Sequence, residues 1–124
     1  LVSAGSWDRA GAQFAEFRAG LVRHIRMEEE ALFPVFERST GFGTEGPTAV
    51  MRAEHVEILG VLEQIAGCLV CPDADPARFE ELRSVLVAVL GDHNDKEEHV
   101  VYPLTDRALL PDQCRDLVRK MRAI

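Results

Sequence analysis

The sequence lacks an excess of basic residues, and this lack excludes two classes of partner. Lys and Arg number 14 against 21 Asp and Glu, which gives a formal net charge of −7. Nucleic acids and anionic membrane surfaces are bound by basic faces. We therefore expect neither a nucleic acid nor a membrane among the partners of this protein.

Long apolar runs and a cysteine framework are also missing. No apolar stretch approaches the ~20 residues that a membrane-spanning helix needs. The three cysteines are an odd number, which favours a reducing compartment over a disulfide-stabilised secreted fold. We expect a cytoplasmic protein, although a chain that begins at Leu1 is also compatible with a targeting segment upstream.

Two-residue alternation of apolar and polar side chains, which marks half-buried strands, is absent as well. What the sequence has is an ordinary globular balance, with 47% hydrophobic and 28% charged residues in a chain of 124. Ala, Leu, Glu and Arg, which favour helices, are plentiful. We therefore predict a single all-α domain over residues 1–124, long enough to bury a core without disulfides.

Apolar residues recur at steps of three and four in three long segments, which is the spacing of one helix face. The predicted helices cover about residues 7–38, 48–69 and 76–107. A loop containing Gly and Pro at residues 39–47 and one containing two prolines at residues 71–76 separate them. Short loops favour antiparallel neighbours, so we predict an up-and-down bundle.

Four local features complete this bundle. Pro34 is expected to kink or end the first helix. Asp75 is a good N-cap and Pro76 a good first residue for the third helix. A short fourth helix at residues 111–122 can cover one end of the bundle, but it carries no stripe of metal ligands.

Polar residues interrupt the apolar stripe of each long helix. The first stripe is Phe14, Phe17, Leu21, His24, Glu28, Ala31 and Val35. The second is Met51, His55, Ile58, Leu62, Ile65 and Leu69. The third is Leu82, Leu86, Val89, His93, Glu97, Val100 and Leu104.

The sharpest signal is an internal repeat. Residues 24–34 read HIRMEEEALFP and residues 93–103 read HNDKEEHVVYP. In each copy a Glu follows the His by four residues, His24 with Glu28 and His93 with Glu97. Four residues turn a helix by about 400°, so both side chains of each pair project from one face.

The repeat and His55 bring five ionisable side chains to one interior. Burying such groups without partners costs several kcal/mol each. Imidazoles and carboxylates are good ligands for iron, and helical bundles build metal sites from inward Glu and His. The predicted metal ligands are therefore His24, Glu28, His55, His93 and Glu97.

The doubled H-x-x-x-E-E motif with a following aromatic–Pro, together with His55 between the copies, resembles the hemerythrin-like, or HHE cation-binding, domains. The resemblance covers roughly residues 14–103. It implies a four-helix bundle around an oxo- or hydroxo-bridged di-iron centre. On that basis the three histidines are terminal ligands, and Glu28 and Glu97 are bridging carboxylates. Zinc or another divalent metal can also occupy such a site in vitro.

The chain departs from the family at one place. Family members usually begin with another helix that supplies one or two more histidines, and no histidine precedes His24 here. Leu59 also stands one turn after His55, where a second histidine would fit. Either a helix is missing from this fragment, or the site is completed by water or by a second chain. A homodimer would close the open seam.

A metal-free interpretation of the same residues remains. His24 and His93 can be core histidines bonded to the adjacent glutamates. Glu54 and Glu57 flank His55, so a slightly rotated helix would expose it.

Several neighbouring residues have a less specific interpretation. His99 lies about 240° round the helix from His93, so it is expected to face solvent. Glu29 and Glu98 are expected on a solvated face or as outer partners of a ligand histidine. Phe33 and Tyr102 are expected to pack the end of the bundle, with a contact from the Tyr102 hydroxyl to the site as the weaker alternative.

Cys68 and Cys71 form a C-x-x-C pair. No second pair and no thioredoxin-like pattern of strands accompanies them. We interpret them as small buried residues rather than as a redox or zinc site.

Three functions fit this sequence. The favoured one is a di-iron binding module that senses or binds O2 or NO, or handles iron. The second is an enzyme using the same centre, such as an oxidase, a peroxidase or an iron donor for iron–sulfur repair, although nothing in the sequence names a substrate. The third is a metal-free helical interaction module.

Overall fold

The structure is a computed structural model that describes residues 4–43, 45–70 and 75–124. The described residues form six α-helices and two single π-helical turns, and no strand occurs among them. The helices are α1 (Ala4–Met27), α2 (Phe33–Thr40), α3 (Pro47–Val70), α4 (Pro76–Lys96), α5 (Tyr102–Ala108) and α6 (Pro111–Arg122). The predicted all-α bundle of three long helical segments and a short C-terminal helix is confirmed.

Of the two outcomes expected at Pro34, a kink or an end of the first helix, the end does not occur, because the helical segment continues to Thr40. A π turn, Glu28–Leu32, joins α1 to α2 without interruption, and the Phe33 N–H donates to the carbonyl of Glu28. A proline inside an α-helix clashes with the carbonyl four residues earlier. The wider π turn moves that carbonyl away, so the helix continues through Pro34 to Thr40.

The second copy of the repeat contains a π turn at the equivalent place. The π turn Glu97–Val101 joins α4 to α5, and the Tyr102 N–H donates to the carbonyl of Glu97. Each π turn thus begins at a glutamate of the repeat and ends just before the aromatic–Pro pair.

The π turns shift the buried face by one residue. Val35 and Val100 were predicted to face inward. Val35 is partly buried against the core, but the fully buried residues next to these two are Phe36 and Val101, each with 0% of its surface exposed. Val100 is instead exposed. The predicted stripes assumed 3.6 residues per turn throughout, and a π turn contains more.

Capping residues set the helix ends. The left-handed conformation of Gly41, with φ of 78°, ends α2, and its N–H donates to the carbonyl of Glu37. Glycine adopts this conformation at the least cost. The Asp75 carboxylate accepts a hydrogen bond from the Ala77 N–H at 3.0 Å, with Pro76 at the first position of α4, as predicted.

Two apolar clusters fill the bundle. The upper cluster lies between α1, α3 and α4 and contains Ile25, Ile58, Val61, Leu62, Ile65, Leu82 and Leu86. The lower cluster, between α2, α5 and α6, contains Ala31, Leu32, Phe33, Phe36, Met51, Val101, Leu109 and Leu117. The polar residues of the repeat lie between the two clusters.

Helix α6 covers the lower cluster, as predicted. Leu117 is buried in it, and Cys114 and Met121 pack beside it. The Arg23 guanidinium on α1 donates to the carbonyl of Ile124 at 2.9 Å, so this end of the chain is held against α1.

One flank of the bundle is open. Phe17, predicted to face inward, is 47% exposed because no described helix covers that side of α1 and α4. None of the helices in the described ranges combines the length and apolar character that crossing a bilayer requires.

Of the C-x-x-C pair, Cys71 lies outside the described residues. Cys68 is partly buried, and it is unbridged.

Candidate metal centre

Four buried side chains from three helical segments converge between the two apolar clusters. They are Glu28, His55, His93 and Glu97, and each offers one donor atom within 4.8 Å of the others. All four are at most 3% exposed. Four of the five predicted metal ligands are therefore brought together in one polar layer.

The donor atoms lie close together. His55 Nε2 is 3.2 Å from His93 Nε2 and 3.0 Å from Glu28 Oε1. His93 Nε2 is 3.2 Å from Glu97 Oε1. These nitrogens and oxygens line one small space.

The other nitrogen of each buried imidazole is held by a carboxylate. His55 Nδ1 lies 2.7 Å from Glu29 Oε2, and His93 Nδ1 lies 2.9 Å from Glu54 Oε1. An ionised carboxylate only accepts hydrogen bonds, so the proton of each neutral imidazole sits on Nδ1. Both Nε2 atoms then present lone pairs to the shared space, as a metal ligand does.

Two carboxylate oxygens in this space have no hydrogen-bond partner. They are Glu28 Oε1 and Glu97 Oε2, and both are inaccessible to solvent. Glu28 Oε1 is near His55 Nε2, but the pair does not have hydrogen-bond geometry. Unpartnered buried carboxylate oxygens are costly. Donor atoms that converge on one space in this way fit a bound cation, and the His and Glu donors suit iron.

His24, the fifth predicted ligand, lies at the edge of the site. Its Nε2 is 3.4 Å from Glu28 Oε2, and 49% of its side chain is exposed. The predicted four-residue pairing with Glu28 is present, but the open flank leaves the ring partly in solvent.

Aromatic side chains bracket the polar layer. The Tyr102 hydroxyl donates to Glu28 Oε2 at 2.8 Å, which is the alternative that the sequence favoured less. Phe33 occupies the equivalent place in the first copy, and its ring stacks on His55 with centroids 5.6 Å apart. The Arg52 guanidinium also contacts the Phe33 ring, 5.3 Å from its centroid.

The two central carboxyl groups have opposite electrostatic environments. Burial raises the pKa of Glu28, but the contacts from His24, His55 and Tyr102 outweigh it and hold that pKa well below its ordinary value. Burial raises the pKa of Glu97 above its ordinary value, and the neighbouring Glu28 charge adds to this. Glu97 is therefore the carboxyl that more readily carries a proton when no cation is bound.

The surroundings of His24 and His93 favour the charged form of each imidazole. The hydrogen bond to Glu28 raises the pKa of His24. Burial lowers the pKa of His93, but hydrogen bonds to Glu97 and Glu54 outweigh it and raise that pKa overall. Without a metal ion, protons supply part of the positive charge that this site attracts.

The sequence predicted only some of the residues that contact the buried histidines from outside the donor set. Glu29 is the outer partner that the sequence suggested. Glu98 and His99 are exposed, and His99 Nδ1 lies 2.7 Å from the Asp95 carbonyl. Glu54 was missed as a partner of His93, because its role depends on how α3 and α4 pack, which no local pattern encodes.

A groove of ≈ 420 Å³ runs along the open flank and reaches the site. It is lined by three apolar side chains, Phe17, Leu21 and Leu90, and by the polar or charged side chains of His24, Asn94, Glu97, Glu98 and Tyr102. A small molecule can reach the polar layer by this route.

Comparison with known proteins agrees with this geometry. Residues 1–105 match the family model described as the hemerythrin HHE cation binding domain. No solved structure gave a significant match.

Distant relatives share part of the chain. The proteins named iron-sulfur cluster repair protein YtfE from Yersinia pestis (strain Pestoides F) and Yersinia pseudotuberculosis serotype O:1b (strain IP 31758) are each 26% identical over 98 residues. The matched region is 74% of this chain and 44% of each relative. The chain thus corresponds to less than half the length of these relatives.

Proposed function

Because the chain belongs to the hemerythrin family of HHE cation-binding domains, we propose that it is a non-haem iron-binding module that holds a pair of iron ions and binds a diatomic ligand, O2 or NO. One observation carries the proposal: two buried imidazole nitrogens and two unpartnered carboxylate oxygens converge in one space.

The proposed ligands are those of the repeat and α3. His55 and Glu28, with His24 at the edge, form one half of the donor set, and His93 and Glu97 form the other. Five side chains leave coordination positions to water or to a small ligand. Iron, when bound, supplies open coordination positions and redox chemistry that favour diatomic molecules.

The protein surroundings support this use. Glu29 and Glu54 hold the imidazoles by Nδ1, so Nε2 keeps its lone pair directed at the site. The groove, lined by apolar side chains and also by His24, Asn94 and Glu98, is wide enough to admit a small ligand. The clusters above and below keep bulk water out of the layer.

The test is anaerobic loading with ferrous iron, followed by desalting, metal analysis and an optical spectrum before and after exposure to air. We expect about two irons per chain and, after air, a near-ultraviolet band of a bridged ferric pair. His93→Ala should lower the iron content. His99→Ala, on an exposed histidine of the same helical segment, is the matched control and should not.

Retention of no iron by the wild-type chain would contradict the proposal. It would favour the metal-free helical interaction module, for which iron would also leave the melting temperature unchanged.

A second function, donation of iron for the repair of iron–sulfur clusters, is favoured by His24. This half-exposed histidine stands where the groove meets the site, so it is placed to receive or release an ion. The name of the Yersinia relatives points the same way. His24→Ala should change the rate of iron transfer to a chelator much more than the amount of iron bound. Equal effects on rate and amount would argue against donation.

A further inference from the structure

The two buried histidines have the same arrangement of contacts but differ in what lies behind it. Each directs Nε2 at the shared space and rests Nδ1 on a carboxylate of another helix, His55 on Glu29 and His93 on Glu54. A full negative charge on that carboxylate makes an imidazole a stronger donor. The charge state of these outer partners therefore bears on how each half of the site holds a metal ion.

A lysine neutralises one of the two carboxylates. Lys96 Nζ forms an ion pair with Glu54 and lies 3.1 Å from Asp92. Glu54 is 16% exposed, so this ion pair is only partly screened by solvent. The positive charge of Lys96 therefore offsets part of the negative charge on the carboxylate that holds His93.

The other carboxylate has no such neighbour. Glu29 is 34% exposed, and no Lys or Arg in the described ranges lies within ion-pair distance of it. In the repeat, Met27 occupies the position that Lys96 has in the second copy. His55 therefore rests on a carboxylate that no Lys or Arg of the described residues pairs with.

We propose that Lys96 weakens the metal position held by His93 and Glu97 and so widens the difference between the two metal positions. The position held by His93 and Glu97 is the weaker one, because Lys96 withdraws charge from Glu54 and so from the His93 imidazole. The position held by His55 and Glu28 fills first and keeps its ion longer. This inference rests on the proposed metal function and adds an order of binding and release to it.

The experiment is an anaerobic titration with ferrous iron against a chromophoric chelator, which resolves two stepwise dissociation constants. For the wild type we expect two separate steps. Lys96→Met keeps a long side chain without the charge, and it should tighten the weaker step by up to about tenfold, the low end of what such outer contacts carry. The tighter step should stay unchanged.

Arg83→Met is the matched control. It removes one positive charge from the same helix, about 20 Å along its axis from Lys96, at an exposed ion pair with Glu80. It should leave both steps unchanged, so a shift common to both variants would overturn the proposal as a general charge effect.

A double variant tests the route through Glu54. Glu54→Gln keeps an acceptor for His93 without the charge and should weaken the weaker step by about 10- to 100-fold. In that background Lys96→Met should have little further effect. An undiminished effect of Lys96→Met would show that the lysine acts directly rather than through Glu54, and would overturn the proposed route.

The failure of this inference is distinguishable from that of the iron-binding function. Two equal dissociation constants in the wild type, or two constants whose ratio Lys96→Met leaves unchanged, would overturn the inference about Lys96 alone. A wild-type chain that binds no iron would overturn both.

Discussion

The equivalent glutamates of the repeat are not equivalent in the folded protein. Each keeps one oxygen without a hydrogen-bond partner, but Glu28 receives contacts from His24, His55 and Tyr102, whereas His93 is the histidine that contacts Glu97. The difference arises partly at one aromatic position, where the first copy has Phe33 and the second has Tyr102. The Tyr102 hydroxyl is thus one of the groups that distinguish the two halves of the site.

Removing that hydroxyl tests its contribution. Tyr102→Phe leaves the buried Glu28 carboxylate short of a donor, so we expect the free energy of unfolding of the metal-free protein to fall by about 1–3 kcal/mol. Urea denaturation measures it. In a Glu28→Gln background the same substitution should cost less. Equal costs in the two backgrounds would mean that the hydroxyl acts elsewhere.

The pH dependence of the metal-free protein follows from the raised pKa values of His24 and His93. A histidine whose pKa is higher when folded contributes stability that is complete below its unfolded value of 6.5 and is lost as pH rises through the folded value. We expect a lower free energy of unfolding at pH 8 than at pH 6. His24→Gln should reduce the difference.

Metal should reverse this trend, because ferrous iron displaces those protons and binds more tightly at higher pH. Denaturation curves at the two pH values, with and without metal, provide the check. A pH-independent stability without metal would contradict the assignment of protonated histidines.

At the scale of the helices, the π turns allow prolines inside long helical segments. Each contains one residue more than a regular turn would hold, which absorbs the clash that proline causes. After the first turn Phe36 is fully buried and Val35 only partly, and within the second turn Val101 is fully buried while Val100 is exposed.

Deletion of Glu30, an exposed residue of the first π turn, should convert that turn to regular helix. Pro34 would then clash inside an α-helix at a cost of about 3 kcal/mol. Adding Pro34→Ala to the deletion should recover most of this loss, whereas Pro34→Ala alone should change stability little. Chemical denaturation of the three variants measures it, and equal stabilities of the deletion with and without Pro34→Ala would contradict the role given to the π turn.

The helices and the central pairs were predictable because they follow local rules. The N-cap at Asp75, the three-and-four spacing and the two His–Glu pairs all depend on residues within a turn or two of each other. The π turns were not predictable from a stripe that assumes constant pitch. The exposure of His24 and the role of Glu54 depend on which helices pack beside them, and the spacing of residues along one helix does not specify that packing.

At the scale of the molecule, a polar layer divides two apolar clusters. The upper cluster packs α1 against α3 and α4, and the lower one packs α2 and α5 beneath α6. The donors in the layer come from all three long helical segments. A bound ion would therefore link every long segment of the bundle, while α6 contributes no donor.

Metal binding should stabilise the helices that supply the donors more than it stabilises α6. At a free ion concentration of about 100 times the dissociation constant, binding stabilises the fold by about 2.7 kcal/mol. Hydrogen exchange should show the largest gain in protection around His55 and His93, and the smallest in α6, which can open locally without disturbing the site. Equal gains in α6 and α3 would contradict a role for the ion at the centre of the bundle.

The shared π turn bears on the history of the chain. Both copies of the repeat contain the wide turn at the same place, starting at the glutamate and ending before the aromatic–Pro pair. If the two halves descend from one ancestral hairpin segment, a single insertion before duplication accounts for both turns, whereas insertion afterwards requires the same event twice. On that account the insertion of the extra residue came before the duplication, and the two copies diverged in sequence afterwards.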